Sequence, residues 1–331
     1  MKKLLVLCLS AFMLTAFGTP SLAAQKKYTV RVAYYFPTSH PAHKSLEFFK
    51  QNVEKDSNGA IQILLFPNNQ LGNEETFIDS IKRGIVQMAV SGGLVKKDEI
   101  KLALVEPPFV FETWKQAKAA YTGPIGKEII GDYTKKTGVM VVGYSVNGFR
   151  ELSCNFPLNG MDDLAKMKIR VPTNEIYVNM FKALGTTPVM MPMGEIYNSL
   201  ETNVVDGQDN PYSTVRSTGW WEVQKYMLET HHMFVANPWL VNKKFFESMP
   251  ADLQKVFMDN VAKAIEHNWS ISEKDDLESK QFIESKGLKI VTPGPELRAK
   301  MKASLKDFYE WYYKFVPGSK EIIAKMEALP R

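Results

Sequence analysis

Two arginines and an asparagine lie in short polar motifs beside apolar stretches. Arg150 ends the motif NGFR, Arg170 lies in the apolar context KIRVP, and Asn210 belongs to the motif DGQDNP. A guanidinium group offers parallel donors that match the two oxygens of a carboxylate. Because its apolar neighbours predict a short, buried strand, Arg170 is a candidate anion-binding residue. A structural ion pair with Asp162 or Glu195 is the alternative.

The sequence lacks the motifs of common enzyme classes. It contains no G-x-S-x-G, H-E-x-x-H or C-x-x-C motif and no complete phosphate loop, which disfavours hydrolase and nucleotide-binding functions. His40 and His43 could share one helical face, but a metal ion there would need a third ligand. We therefore predict no metal site and no cofactor. A secreted α/β enzyme that uses Glu74 or Asp206 as acid or base stays open.

Strands and helices are predicted to alternate along most of the chain. Short apolar runs between turn residues indicate strands, and longer amphipathic runs indicate helices. This alternation is typical of an α/β fold with a mainly parallel sheet. An uninterrupted helical pattern at 251–286 would extend roughly 54 Å, long enough to brace two lobes. The predicted strands are 28–34, 61–66, 85–90, 139–144, 168–171, 204–206 and 229–241, and the other helical segments are 42–55, 74–83, 174–184, 195–201 and 295–328.

The composition is that of a packed globular protein, and the N-terminal segment predicts secretion. Of 331 residues, 45% are hydrophobic and 23% charged, and the net charge is +5. No basic run with interleaved aromatics is present, so we expect no nucleic-acid partner. A basic start, an apolar run and a small-residue site predict a cleaved signal peptide at 1–23 and a periplasmic location. Its removal leaves Cys154 as the only cysteine, which rules out an intrachain disulfide.

The order of several motifs resembles that of one known family. The sequence is similar to the DctP-type solute-binding proteins of TRAP (tripartite ATP-independent periplasmic) transporters over nearly the whole mature chain. The shared motifs are SHP at 39–41, FPNNQLG at 66–72, MKIRVP at 167–172, EIY at 195–197, VVDGQDNP at 204–211 and EVQK at 222–225.

The resemblance implies a two-lobed, periplasmic-binding-protein-like α/β fold with crossing strands and a long bridging helix. It also implies that a small organic acid is captured between the lobes and passed to an ion-gradient-driven TRAP membrane permease, without catalysis. Lobe I would comprise 24–147 plus about 236–275, and lobe II 148–235 plus about 276–331, with the helix at about 251–286 spanning both.

The resemblance further implies roles for individual residues. Arg170 would grip the ligand carboxylate, Arg150 would be a second anion contact, and Asn210 would contact the carboxylate or hydroxyl groups of the ligand. The other candidate ligand-binding residues are Tyr35, His40, Glu74, Gly92, Met193, Tyr212, Asn237 and Trp239.

These candidate residues favour a sugar acid as the ligand. In the sialic-acid branch of the family an amide, an acid and an aromatic residue replace Tyr35, Gly92 and Met193, which disfavours sialic acid. Tyr35, Tyr212 and Trp239 could stack on the ring of a sugar acid or of an aromatic acid. A uronate or aldonate is the predicted ligand, and a C4-dicarboxylate or another monocarboxylate is the alternative. A monomer is expected, and a module that presents its ligand to a sensor stays open.

Overall fold

The computed structural model describes residues 26–331, so the predicted signal peptide at 1–23 lies outside the described residues. Helices surround one mixed sheet of nine described strands, which confirms the predicted α/β class. The strands are β1 (Tyr28–Tyr34), β2 (Ile61–Phe66), β3 (Met88–Val90), β4 (Val139–Cys154), β5 (Lys168–Val171), β6 (Thr187–Met190), β7 (Gly207–Asn210), β8 (Tyr226–Asn242) and β9 (Lys289–Val291).

Strands β4 and β8 join two parallel groups of strands into one sheet. The order is β2-β1-β3-β8-β4-β7-β5-β6, with β9 beside β8. We call β1 to β3 the first half of the sheet and β5 to β7 the second half. The long strands β4 and β8 are antiparallel to each other; β8 borders the first half at Trp239↔Val90, and β4 borders the second half at Glu151↔Asn210. The predicted crossing strands are therefore confirmed.

The chain changes direction where β4 passes from one half to the other. Its register against β8 shifts between Val146 and Gly148 and again between Arg150 and Leu152. Gly148 has φ +115°, and a Cβ there would lie 2.9 Å from the Trp114 ring. Only glycine fits this position without strain, and the irregular strand brings Arg150 to the junction of the two halves.

The helices within residues 26–331 lack the length and apolar character needed to cross a membrane. They are α1 (Pro41–Asp56), α2 (Glu74–Lys82), α3 (Trp114–Thr122), α4 (Pro124–Glu128), α5 (Tyr133–Thr137), α6 (Met161–Leu164), α7 (Glu175–Ala183), α8 (Ile196–Glu201), α9 (Tyr212–Ser217), α10 (Lys243–Glu247), α11 (Ala251–Ser285), α12 (Pro295–Ser304), α13 (Lys306–Phe315) and α14 (Ser319–Glu327).

The long helix α11 lies across the crossing strands and is bonded to them. Asn268 Oδ1 accepts from the Val146 backbone amide at 2.7 Å, and Trp269 Nε1 donates to the Tyr144 carbonyl at 3.0 Å. The helix ends within one residue of its predicted end, so the predicted uninterrupted helix is confirmed. Its side chains fix β4 immediately before the chain enters the second half.

Four predicted strands have different bounds in the structure, and the one predicted at 229–241 extends from Tyr226 to Asn242. The strand predicted at 85–90 begins at Met88, because the amides of Ile85 and Val86 instead bond to the carbonyl of Ser80 and close helix α2. The strand predicted at 139–144 continues to Cys154 through a stretch in which polar side chains are buried. The segment 204–206 is not a strand; β7 follows it, as four buried and mostly polar residues.

Candidate functional site

A polar cavity lies at the junction of the two halves. Seven of the predicted ligand-binding residues line it: Tyr35, Glu74, Gly92, Arg150, Arg170, Met193 and Asn210. The cavity volume open to water-sized molecules is about 70 Å³, well below the roughly 300–1,000 Å³ of common small-molecule pockets. A groove toward Asn69 and Asn73 adjoins it and shares the walls formed by Glu74 and Arg170. A ligand of several carbon atoms therefore enters only if the walls of the cavity separate.

Arg150 is compensated by a buried acid. Its Nε donates to Asp209 Oδ2 at 2.5 Å, its Nη2 donates to the Asp209 carbonyl, and its guanidinium lies 5.0 Å above the Tyr177 ring centre. His232 Nε2 lies 3.2 Å from the same carboxylate oxygen. Burial alone would lower the pKa of Arg150, but the charge and hydrogen bond of Asp209, together with Tyr177 and Glu106, outweigh it and raise that pKa. Arg150 is thus a fixed cation whose charge is already balanced.

Arg170 has no acidic partner. Its Nε and Nη2 donate to the Met191 carbonyl at 2.9 and 2.7 Å, and no carboxylate of residues 26–331 forms an ion pair with it. The alternative ion pairs with Asp162 and Glu195 are therefore not formed. Burial, followed by repulsion from Arg150, lowers the pKa of Arg170 to about 10, so it remains a cation at neutral pH. Three of its five N–H groups are left for another acceptor.

Glu74 places a carboxylate on the wall formed by the first half. As the first residue of α2, it accepts at Oε1 from Ser91 Oγ at 2.7 Å and from the Gly92 amide at 2.6 Å. Burial raises the pKa of Glu74. A Cβ at Gly92 would lie 3.1 Å from Tyr35 Oη and 3.3 Å from Glu74 Oε1. The glycine thus keeps space open between these two polar groups.

Two of the predicted residues, Asn237 and His40, do not line the cavity but form hydrogen bonds to residues that do. Asn237 Nδ2 donates to Tyr35 Oη at 2.8 Å. His40 Nε2 lies 3.1 Å from Asn147 Oδ1, while its Nδ1 accepts from the Ala42 amide and caps α1. Burial lowers the pKa of His40 to about 3, so this ring is neutral. In this geometry both side chains position a lining residue instead of lining the cavity themselves.

The structure places the other two predicted aromatics away from the cavity. Tyr212 is buried in a smaller hydrophobic cluster, and its hydroxyl donates to Glu229 Oε1 at 2.9 Å. Trp239 packs edge-on against Phe49 with ring centres 5.9 Å apart. This packing does not place either ring in the cavity, because apolar burial holds both rings in the core.

Four polar lining residues were not predicted as ligand contacts: Glu106, Asn147, Asn174 and Tyr177. Glu106 is the single charge in the apolar segment LALVEPPFVF at 102–111, and a charge in such a context is a usable sequence signal. Asn147 belongs to the NGFR motif, and Asn174 is the N-cap of α7. Tyr177 carries no signal that distinguishes it from a core residue of an amphipathic helix.

Other chemistry finds little support in the described part of the chain. No three His, Cys, Asp or Glu side chains among residues 26–331 come together as metal ligands. Cys154 is buried, and burial raises the pKa of its thiol to about 12, which makes it unreactive as a nucleophile. The cavity at the junction is where buried charges of both signs meet.

Known proteins share both the sequence pattern and the fold. The family model of bacterial extracellular solute-binding proteins, family 7 (DctP), matches residues 32–314. A TRAP periplasmic solute-binding protein from Haemophilus influenzae with bound L-gulonate is 30% identical, with a TM-score of 0.86 over 91% of this chain and 99% of its own. The sugar acid binding protein DctPAm from Advenella mimigardefordensis in complex with galactonate is 26% identical, with a TM-score of 0.87 and coverage of 91% and 97%. A TRAP periplasmic solute-binding protein from Sulfurospirillum deleyianum with bound succinate is 26% identical, with a TM-score of 0.86 and coverage of 92% and 100%.

Proposed function

The chain belongs to bacterial extracellular solute-binding protein family 7, the DctP family of TRAP transporters, and on this premise we propose that it captures a sugar acid, an aldonate or uronate. Members of this family are substrate-binding proteins that supply small organic acids to a TRAP membrane permease, and they are not enzymes. An acid or base role for Glu74 or Asp206 is therefore excluded. Asp206 instead bonds to the Lys168 amide at 2.7 Å, outside the cavity.

The observation that carries the proposal is the uncompensated charge of Arg170. A buried guanidinium without an acidic partner is unfavourable, whereas a bound carboxylate would accept from its free N–H groups in a charge-assisted pair. Because Met191 already orients the guanidinium, little ordering is needed when the ligand binds. Arg170 is the proposed carboxylate site.

The rest of the cavity suits a ligand that bears hydroxyl groups. Glu74 can accept further hydrogen bonds, since a carboxylate has about four acceptor directions. Asn210 Nδ2 donates to Gln208 Oε1 at 2.7 Å. The side-chain oxygen of Asn210, Oδ1, can therefore accept a hydrogen bond from the ligand. The similar proteins that bind L-gulonate and galactonate support the same ligand class.

A C4-dicarboxylate is the second candidate, because a similar protein binds succinate. Such a ligand would need a second cation at its far end. Arg150 is the available group, but Asp209 already balances its charge. The cavity therefore offers one uncompensated cation, which favours a monocarboxylate.

We further propose that the mature protein is a periplasmic monomer, released by cleavage of 1–23, that binds no nucleic acid. The net charge of the full chain is a modest +5 and falls to +3 without Lys2 and Lys3, which supports the last point. A protein that presents its ligand to a sensor would bind it in the same cavity, and only its protein partner would differ.

Calorimetric titration of the purified mature protein with L-gulonate, galactonate, galacturonate and succinate tests the proposal. We expect at least one sugar acid to bind more tightly than succinate by about tenfold or more, about 1.4 kcal/mol. Tighter binding of succinate than of every sugar acid would contradict the proposed ligand class.

A further inference from the structure

A second acid of the cavity, Glu106, is held rigidly by residues of the opposite wall. It follows a 3-10 turn that ends at Val105, and its side chain is buried. Oε1 accepts from Asn174 Nδ2 at 2.9 Å, and Oε2 accepts from the Tyr177 hydroxyl at 2.8 Å. Both donors lie at the start of α7, which follows the strand that carries Arg170. The orientation of the Glu106 carboxylate toward the cavity is thus fixed.

The backbone at Gly93 provides the space that this carboxylate occupies. A Cβ built on Gly93 would lie 1.8 Å from Glu106 Oε1, far inside van der Waals contact. Any side chain at position 93 would therefore push the Glu106 carboxylate out of its place. Because the obstructed atom is the end of a flexible side chain, such a displacement moves the carboxylate and leaves the backbone unchanged.

The charges of the cavity determine what can approach Glu106. Asp209 balances Arg150, and Arg170 is reserved for the ligand carboxylate, so Glu74 and Glu106 face the remainder of the ligand. Burial raises the pKa of Glu106 to about 7. Above that pH Glu106 is a carboxylate, whose oxygens accept hydrogen bonds and cannot donate them. The part of the ligand near Glu106 must then bring hydrogen-bond donors, and a second carboxylate there would be repelled.

We propose that Glu106 is a specificity-determining residue: it accepts a hydrogen bond from a hydroxyl group of the ligand and disfavours ligands that carry a second carboxylate. This inference rests on the proposed function, because it takes Arg170 as the carboxylate site. It adds a residue outside every recognised motif, and it assigns that residue the discrimination between a polyhydroxy monocarboxylate and a dicarboxylate.

The Glu106→Gln variant tests the inference through the ratio of the dissociation constants of succinate and of galactonate or L-gulonate. The amide removes the negative charge and points a donor toward Asn174 or Tyr177. We expect sugar-acid affinity to fall about 10- to 100-fold, while succinate affinity stays the same or increases. Equal weakening of both ligand classes, or an unchanged ratio, would overturn the inference. If the parent protein binds succinate but no sugar acid, the proposed function is wrong. The role of Glu106 can then still be tested, because succinate should bind the Glu106→Gln variant more tightly than the parent.

Two further variants separate specificity from general damage. Gly93→Ala displaces the same carboxylate without removing it, and it should shift the ratio in the same direction as Glu106→Gln. Glu175→Gln is the matched control, since Glu175 pairs with Lys96 at 2.6 Å beside the Glu106 partners but does not line the cavity. Its ratio should equal that of the parent protein. A Gly93→Ala variant that melts like the parent and keeps the parent ratio would also overturn the inference.

Discussion

Each arginine of the cavity is oriented by the protein itself. Arg150 is fixed by Asp209, and Arg170 donates through two nitrogens to the Met191 carbonyl. A ligand carboxylate therefore meets donors whose conformational freedom is already reduced, which favours affinity. The difference between the two lies in charge, because only Arg170 lacks a compensating acid among the described residues.

Replacement of Arg170 should abolish ligand binding. The Arg170→Ala variant loses the charge partner of the ligand carboxylate, which costs about 2–5 kcal/mol, a loss of roughly 30- to several-thousand-fold in affinity. Arg170→Lys should also fail, because one ammonium group cannot bond to Met191 and hold both carboxylate oxygens at once. Calorimetry with the sugar acid that binds the parent protein measures both. Arg216→Ala, at an exposed arginine of α9 outside the cavity, is the control; near-normal affinity in either Arg170 variant would remove that residue from the proposed role.

The sequence allowed part of the cavity to be predicted. Arg170 and Arg150 stand out because a guanidinium in an apolar context needs an explanation. Glu106 is likewise a charge in an apolar context, but no motif of the family resemblance includes it, and it was not predicted. Trp239 was assigned to the pocket from the family resemblance and Tyr212 from its aromatic ring, whereas both rings are buried in the core. One-dimensional spacing does not tell which of two buried aromatics faces a cavity.

Helix α11 contacts the second half of the sheet through an ionisable side chain, Asp276. Asp276 Oδ1 accepts from the Ser213 amide at 3.0 Å, at the start of α9. Burial raises the pKa of Asp276 to about 7, above the unfolded value of about 3.9. The folded state therefore binds this proton more tightly than the unfolded state. The stability that results is present below about pH 4 and is lost as the pH rises through about 7.

The Asp276→Asn variant should change the pH dependence of folding stability. Relative to this variant, the parent protein should lose more than about 1 kcal/mol of unfolding free energy between pH 4.5 and 7.5, since one pKa unit corresponds to about 1.4 kcal/mol. Denaturant unfolding at several pH values measures the difference. Glu273→Gln, at an exposed residue of the same helix, controls for net charge. A difference between parent and Asp276→Asn that does not vary with pH would contradict the expected proton binding.

The sequence predicted the bounds of a strand well where its buried residues are mostly apolar, and poorly where they are polar. Strands β1, β2 and β5 have the predicted bounds, because their buried residues are apolar apart from Arg170. Strand β7 has the sequence GQDN and is buried throughout. Its polar side chains form the site, so hydrophobic periodicity placed the strand three residues too early. The hydrophobic pattern therefore described β7, which carries Asn210, least well.

For the whole molecule, the narrow cavity implies a motion. Strands β4 and β8 join the two halves, Asn147 lies within the register shift of β4, and Ala236 pairs with Val146 at the edge of that shift. We propose that the lobes given by 24–147 with about 236–275 and by 148–235 with about 276–331 rotate about these strands. Opening exposes Arg170, and a bound acid that contacts both walls stabilises the closed form.

Small-angle X-ray scattering of the mature protein, with and without a saturating sugar acid, tests the central claim that the ligand is held between the two halves. The radius of gyration should be larger without ligand and should decrease on binding, and Arg170→Ala should keep the larger value at the same ligand concentration. An unchanged radius of gyration, with binding confirmed in the same sample, would contradict capture by closure and indicate a rigid, preformed site.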